Sequence, residues 1–189
     1  MKIGIDISQL AYEKTGVANY LGKLVESLVA HDHENEYILF FSSMRRNFPT
    51  RNASHNDAGG QFSIFNFQSS HNVSLKQFKF PPSLLDLLWN KLHVMPIENL
   101  IGDVDIFITS DWTEPPTKRA KKLTILYDLI VYKYPEETAE KIVHTQKRKL
   151  QWVKKESAKI LCISEATKKD AREVLGIEDK RLTVVYPGI

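Results

Sequence analysis

Cysteine is nearly absent from this chain, and long apolar runs are absent altogether. A lone cysteine, Cys162, excludes an internal disulfide and fits a reducing compartment. No stretch reaches the ~18 apolar residues that would span a bilayer. The start is no signal peptide, since Asp6 and Glu13 interrupt any apolar region. Charge of one sign is also scarce: a net charge of +3 gives no case for a nucleic-acid partner. None of the 8 glycines forms the G-x-G-x-x-G of a dinucleotide fold or a Walker loop, which disfavours a nicotinamide oxidoreductase and a P-loop NTPase. His31, His33, His55, His71, His93 and His144 have no metal-ligand spacing, so no metal is expected. No serine or cysteine sits in a nucleophile elbow.

What is present points to a single α/β domain over residues 1–189. Hydrophobic residues at 42% and charged residues at 26% suit an ordinary buried core. Lys2 to Ser8 reads as an apolar strand, and Gly16 opens an amphipathic helix. Val17, Tyr20, Leu21, Leu24, Val25, Leu28 and Val29 carry its stripe at helical spacing. Glu36 to Ser42 then reads as a buried strand, completing a right-handed parallel crossover. Asn47 to Gly60 has turn-forming composition and reads as a surface loop; Gln61 to Phe67 alternates and suits a third strand. A helix begins near Pro81-Pro82-Ser83. Strands are expected at Asp105 to Thr109, Lys122 to Asp128, Lys159 to Ile163 and Leu182 to Tyr186. Helices are expected from Pro135 to about Ser157 and from Ser164 to Leu175. The pattern predicts a doubly wound, mainly parallel, Rossmann-like sheet flanked by helices.

Ligands of such sheets gather outside the carboxyl ends of the strands. Asp6, Ser8 and Gly16 follow the first strand; Ser110, Asp111 and Trp112 follow the fourth. Tyr127 and Asp128 follow the fifth, and Ser164 and Glu165 the sixth. Each has a plain alternative. Gly16 either lets backbone approach a phosphate at a helix N-terminus or only closes a tight loop. Asp128 either holds substrate hydroxyls or caps a loop. Ser164 is an N-cap that can leave neighbouring N–H groups facing a phosphate.

Several segments together resemble the amino-terminal domain of the group 1 glycosyltransferases, retaining enzymes of two-domain GT-B architecture. Ile5-Asp6-Ile7 followed by Thr15-Gly16-Val17-Ala18-Asn19-Tyr20 is similar to the family's opening. Tyr127-Asp128-Leu129-Ile130 with Tyr134-Pro135-Glu136 resembles its central segment. Ile160 to Asp170, and Thr183 to Gly188, resemble the two that follow. Within the family the chain resembles mannosyl- and similar hexosyltransferases of surface-polysaccharide biosynthesis.

The resemblance implies transfer of a hexose, mannose among the candidates, from a nucleotide-sugar donor to a glycan or lipid-linked acceptor. It implies no cofactor and no metal. Asp128 becomes the catalytic candidate near sugar or acceptor. Gly16, Tyr20, Tyr127, Ser110, Asp111, Ser164 and Glu165 become the substrate-binding candidates. Tyr127 stands where the family often carries a histidine. The family's carboxy-terminal donor domain, with its basic residue and glutamates, is a partner that these residues do not include. Little or no transfer is then expected from this half alone. The chain reads as a domain of a longer enzyme, a subunit of a split one, or a non-catalytic nucleotide- or glycan-binding module.

Ala139, Ile142, Val143, Gln146, Leu150 and Val153 are expected to form the buried stripe of the helix after Pro135. Lys141, Arg148 and Lys155, with Trp152 beside them, would form the opposite face. That stripe is either a solvated face or a contact with anionic lipid at the inner face of the membrane, around a cytoplasmic protein.

Overall fold

The computed structural model describes residues 1–12, 15–46, 48 and 71–188. Its centre is a sheet of seven parallel strands in the order β3-β2-β1-β4-β5-β6-β7. The strands are β1 (Lys2–Asp6), β2 (Glu36–Ser42), β3 (Val73–Phe78), β4 (Ile106–Thr109), β5 (Lys121–Leu126), β6 (Lys159–Cys162) and β7 (Leu182–Val184). The order reverses between β1 and β4, the topological switch point of a doubly wound fold.

Alternation along the strands feeds both faces of the sheet. Tyr37, Leu39 and Phe41 of β2 join Ile5, Ile7 and Ile108 in one core, beneath α1 (Gly16–His31). Phe40 and Phe107 point the other way, with Leu85, Trp89, Ile97 and Ile101. That second layer contains the short helices α2 (Pro82–Leu85) and α3 (Glu98–Ile101), with a π-helical turn at Asp86–Lys91 between them. A third cluster joins α4 (Ile130–Lys133), α5 (Glu140–Glu156) and α6 (Glu165–Leu175) to β6 and β7.

The expected helix after Pro135 is corrected in two respects. Pro135–Glu137 is a separate 3-10 turn, and α5 begins only at Glu140, with Ala139 exposed in its N-cap position. The buried side of α5 is Val143, Lys149, Leu150 and Val153, while Ile142 is exposed. Nor do the basic residues form one free row. Arg148 pairs with Asp86 at 3.2 Å, and Trp152 donates to the Asn90 carbonyl and stacks on His93 with ring centroids 3.6 Å apart. Lys141 and Lys155 remain exposed.

The third strand is Val73–Phe78, at the sheet edge. The expected loop at 47–60 and strand at 61–67 lie outside the described residues, apart from Phe48. On α6 the expected ends hold: Ser164 accepts from Thr167 N at 3.1 Å, and Gly176 closes the helix with a left-handed φ of 65°.

Gly4 is needed for packing. A Cβ there would lie 2.7 Å from Phe107 Cδ2 and 2.9 Å from Ile101 Cδ1, inside contact distance of two buried side chains. Gly4→Ala is therefore expected to destabilise the domain by about 1–3 kcal/mol, seen as a lower urea midpoint with unchanged slope.

Candidate functional site

The carboxyl ends of β1, β4, β5 and β6 put Asp6, Ser110, Asp111, Tyr127, Asp128, Ser164 and Glu165 along one rim, around the switch point. The N-terminus of α1 follows β1 on the same edge. Thr15 caps it, accepting from Ala18 N at 3.2 Å, so the remaining N–H groups of the first turn have no partner within the helix. Gly16 has no described atom within 4 Å of where a Cβ would sit, and its φ is not in the left-handed region. Neither neighbours nor backbone conformation demand glycine there. Open approach to the helix end is what its missing side chain provides.

The other candidates divide between the rim surface and its support. Asp128 is exposed, and one of its carboxylate oxygens accepts from Ile130 N at 3.0 Å, capping α4. Its second oxygen carries no hydrogen bond within the described residues. Asp111 is partly exposed, and burial raises its carboxyl above the usual range; the Asp128 charge pushes the same way while Lys149 opposes. Glu165 is exposed in the first turn of α6. Ser164 uses its hydroxyl as the N-cap.

Tyr20, expected to touch substrate, is turned inward. Its hydroxyl donates to the Val185 carbonyl at 2.9 Å, and its ring meets Tyr127 edge-on. Tyr127 is also buried, sharing a 3.1 Å hydrogen bond with the Ser110 hydroxyl, and burial raises its phenol well above the ordinary tyrosine range. Thr167 donates to the Tyr127 carbonyl at 3.0 Å, tying α6 to the end of β5. Tyr20, Tyr127 and Ser110 therefore hold the rim together from beneath.

Sequence reasoning missed the charges under this rim. Glu114 is fully buried: the hydroxyls of Thr109 and Thr124 donate to it at 2.7 and 3.2 Å, and Ser157 lies at 3.4 Å. Lys122, also buried, lies 3.5 Å from Glu114 and 2.6 Å from Glu156. Lys149 is buried beside the rim, and burial pulls its amine below the usual lysine range despite Glu114, Asp111 and Asp6 nearby. Asp6, which the sequence did place at the end of β1, is buried there; it accepts from Ser8 N, and burial pushes its carboxyl upward. Cys162 is no nucleophile, because burial pushes its thiol up to about 11. Among the described residues no three His, Cys, Asp or Glu side chains gather as metal ligands would, and no helix is long and apolar enough to cross a membrane.

A doubly wound domain of this kind gathers its ligands outside the carboxyl ends of its strands, at the switch point, where helix N-termini favour anions. The profile of Glycosyltransferase Family 4 matches residues 14–189, so the chain belongs to that family of transferases and has the amino-terminal, Rossmann-like half of its GT-B fold. No curated protein matches the chain.

Replacing Glu114 with leucine is expected to cost about 1–3 kcal/mol, because the buried hydroxyls of Thr109, Thr124 and Ser157 would lose their acceptor, while Lys122 would keep Glu156 at 2.6 Å. Asp128→Asn, at an exposed position, should cost under about 1 kcal/mol. Chemical denaturation of the two variants checks the contrast.

Proposed function

We propose that this chain is the acceptor-side domain of a retaining glycosyltransferase. It would move a hexose, mannose among the candidates, from a nucleotide sugar to a glycan or lipid-linked acceptor. The observation that carries the reading is the shared rim: the open Gly16 end of α1 lies on the same sheet edge as the Asp111 and Asp128 carboxylates. In this scheme the helix ends and basic side chains stabilise the departing diphosphate in place of a metal. Asp128, with one oxygen uncommitted, accepts from a hydroxyl of sugar or acceptor. A second domain holds the nucleotide sugar, so this half alone gives little or no transfer.

Calorimetric titration with UDP, GDP and mannose-containing oligosaccharides tests the division of labour. Oligosaccharide binding that Asp128→Ala abolishes, with nucleotide binding weak, is the expected result. Tight nucleotide binding by this chain alone, unaffected by Asp128→Ala, contradicts it and favours a nucleotide-binding module.

A lipid-carried acceptor would be approached through the exposed residues of the basic face, Lys141 and Lys155, the latter with its ammonium 4.9 Å from the Trp152 ring centre. Lys141→Gln with Lys155→Gln is expected to weaken binding to anionic vesicles. Unchanged sedimentation with vesicles removes the membrane contact from the proposal.

A further inference from the structure

Three consecutive carbonyls in the loop after β4 are each held by a side chain from outside that loop. Lys149 Nζ donates to the Ser110 carbonyl, Gln146 Nε2 to that of Asp111 at 3.0 Å, and Asn90 Nδ2 to that of Trp112 at 2.9 Å. Gln146 also reaches the Asp111 carboxylate, Oδ1 at 3.5 Å. Asn90 then accepts the Glu114 N–H at 3.0 Å, so the far end of the loop is held as well. Gln146 and Lys149 stand three residues apart, on one face of α5. The π-helical turn, packed against α5 through the Trp152 hydrogen bond to the Asn90 carbonyl, brings in Asn90.

Lys149 is the unexpected member. Its hydrogen bond is to a neutral carbonyl, yet the residue is only 2% exposed. Burying a charge costs several kcal/mol, more than one such bond returns. The surrounding negative charge, from Glu114 and Asp111 on the captured loop and Asp6 at the end of β1, offsets part of that cost, though burial still outweighs it. The lysine is thus coupled to the carboxylates of the switch point as well as to the loop backbone.

We propose that Lys149 and Gln146 are positioning residues of the transfer site, holding the Ser110–Trp112 loop so that the Asp111 carboxyl group is presented to a sugar hydroxyl. This rests on the rim being the acceptor site. An ionised carboxylate accepts only, and its hydrogen bond to a hydroxyl is charge-assisted. Burial and the Asp128 charge work against ionisation of Asp111; Lys149 works for it, and Gln146 fixes the orientation. Tyr127, whose hydroxyl is bound to Ser110, closes the group from β5.

Carboxyl-carbon NMR titration of Asp111 in the whole chain tests the coupling without any transfer assay. In Lys149→Met the Asp111 midpoint should move to higher pH, and Lys149→Arg should bring it back toward wild type. The reciprocal measurement needs no change at the buried position: in Asp111→Asn the Lys149 side-chain titration should move to lower pH. It decides the matter if Lys149→Met does not fold. Unmoved midpoints in folded variants overturn the proposal. Titration with a mannose disaccharide separates the site from the network. Weaker binding in both Lys149→Met and Asp111→Asn supports the assignment. Moved midpoints with unchanged disaccharide binding overturn the role at the site, and leave the Asp128 result to judge the broader reading.

Discussion

The buried carboxylate of Glu114 is the constraint on which the rest of the rim depends. It draws hydroxyls from β4, β5 and the end of α5 onto one point, beside the buried Lys122 ammonium. Such a charge is tolerated in an apolar interior only when donors surround it. Meeting that demand fixes where the loop after β4 must run. With Glu114 pinned inward, Ser110, Asp111 and Trp112 pass over the sheet edge within reach of Lys149, Gln146 and Asn90. The candidate site is then an edge held by packed, hydrogen-bonded groups, as the proposed positioning of a sugar requires.

From that edge the division of roles follows from exposure. Buried groups hold shape: Tyr20 ties α1 to the residue after β7, and Tyr127 ties β5 to Ser110. Groups open to solvent are Asp128, part of Asp111, and the N-terminus of α1 beside an unobstructed Gly16, the ones the proposed reading turns toward substrate. The chain belongs to glycosyltransferase family 4, and the proposal assigns these groups to the transfer. The tyrosine at the position where the resemblance expects histidine is engaged within the fold, so the neighbouring Asp128 is the side chain that faces outward.

Much of the architecture was legible because it depends on local patterns. The stripe from Val17 to Val29, the apolar runs of β1, β2, β5 and β6, and the Ser164 and Gly176 caps each state their element within a few residues. The rim order followed, since parallel strands expose their carboxyl ends on one side. β3 was missed because an edge strand buries little: Val73 and Leu75 alternate with exposed Ser74 and Lys76 for only four residues before exposed Gln77 breaks the pattern. Lys149 was missed for a different reason. It stands three residues after Gln146 and one before Leu150, at the edge of the expected buried stripe, but a lysine there is expected to reach solvent, and only tertiary packing turns it inward. Glu114 likewise gains its role from Thr109, Thr124 and Ser157, up to 43 residues away. Pairings across such distances leave no periodic trace.

The central claim is that the switch-point rim is the sugar-binding surface of this transferase domain. Amide chemical-shift mapping with a mannose disaccharide tests it most directly. The account predicts perturbations confined to the start of α1, the loop of Ser110 to Trp112, Asp128 and the start of α6. Perturbations instead at the opposite sheet edge, near Lys2, Asp105 and Lys121, would contradict it.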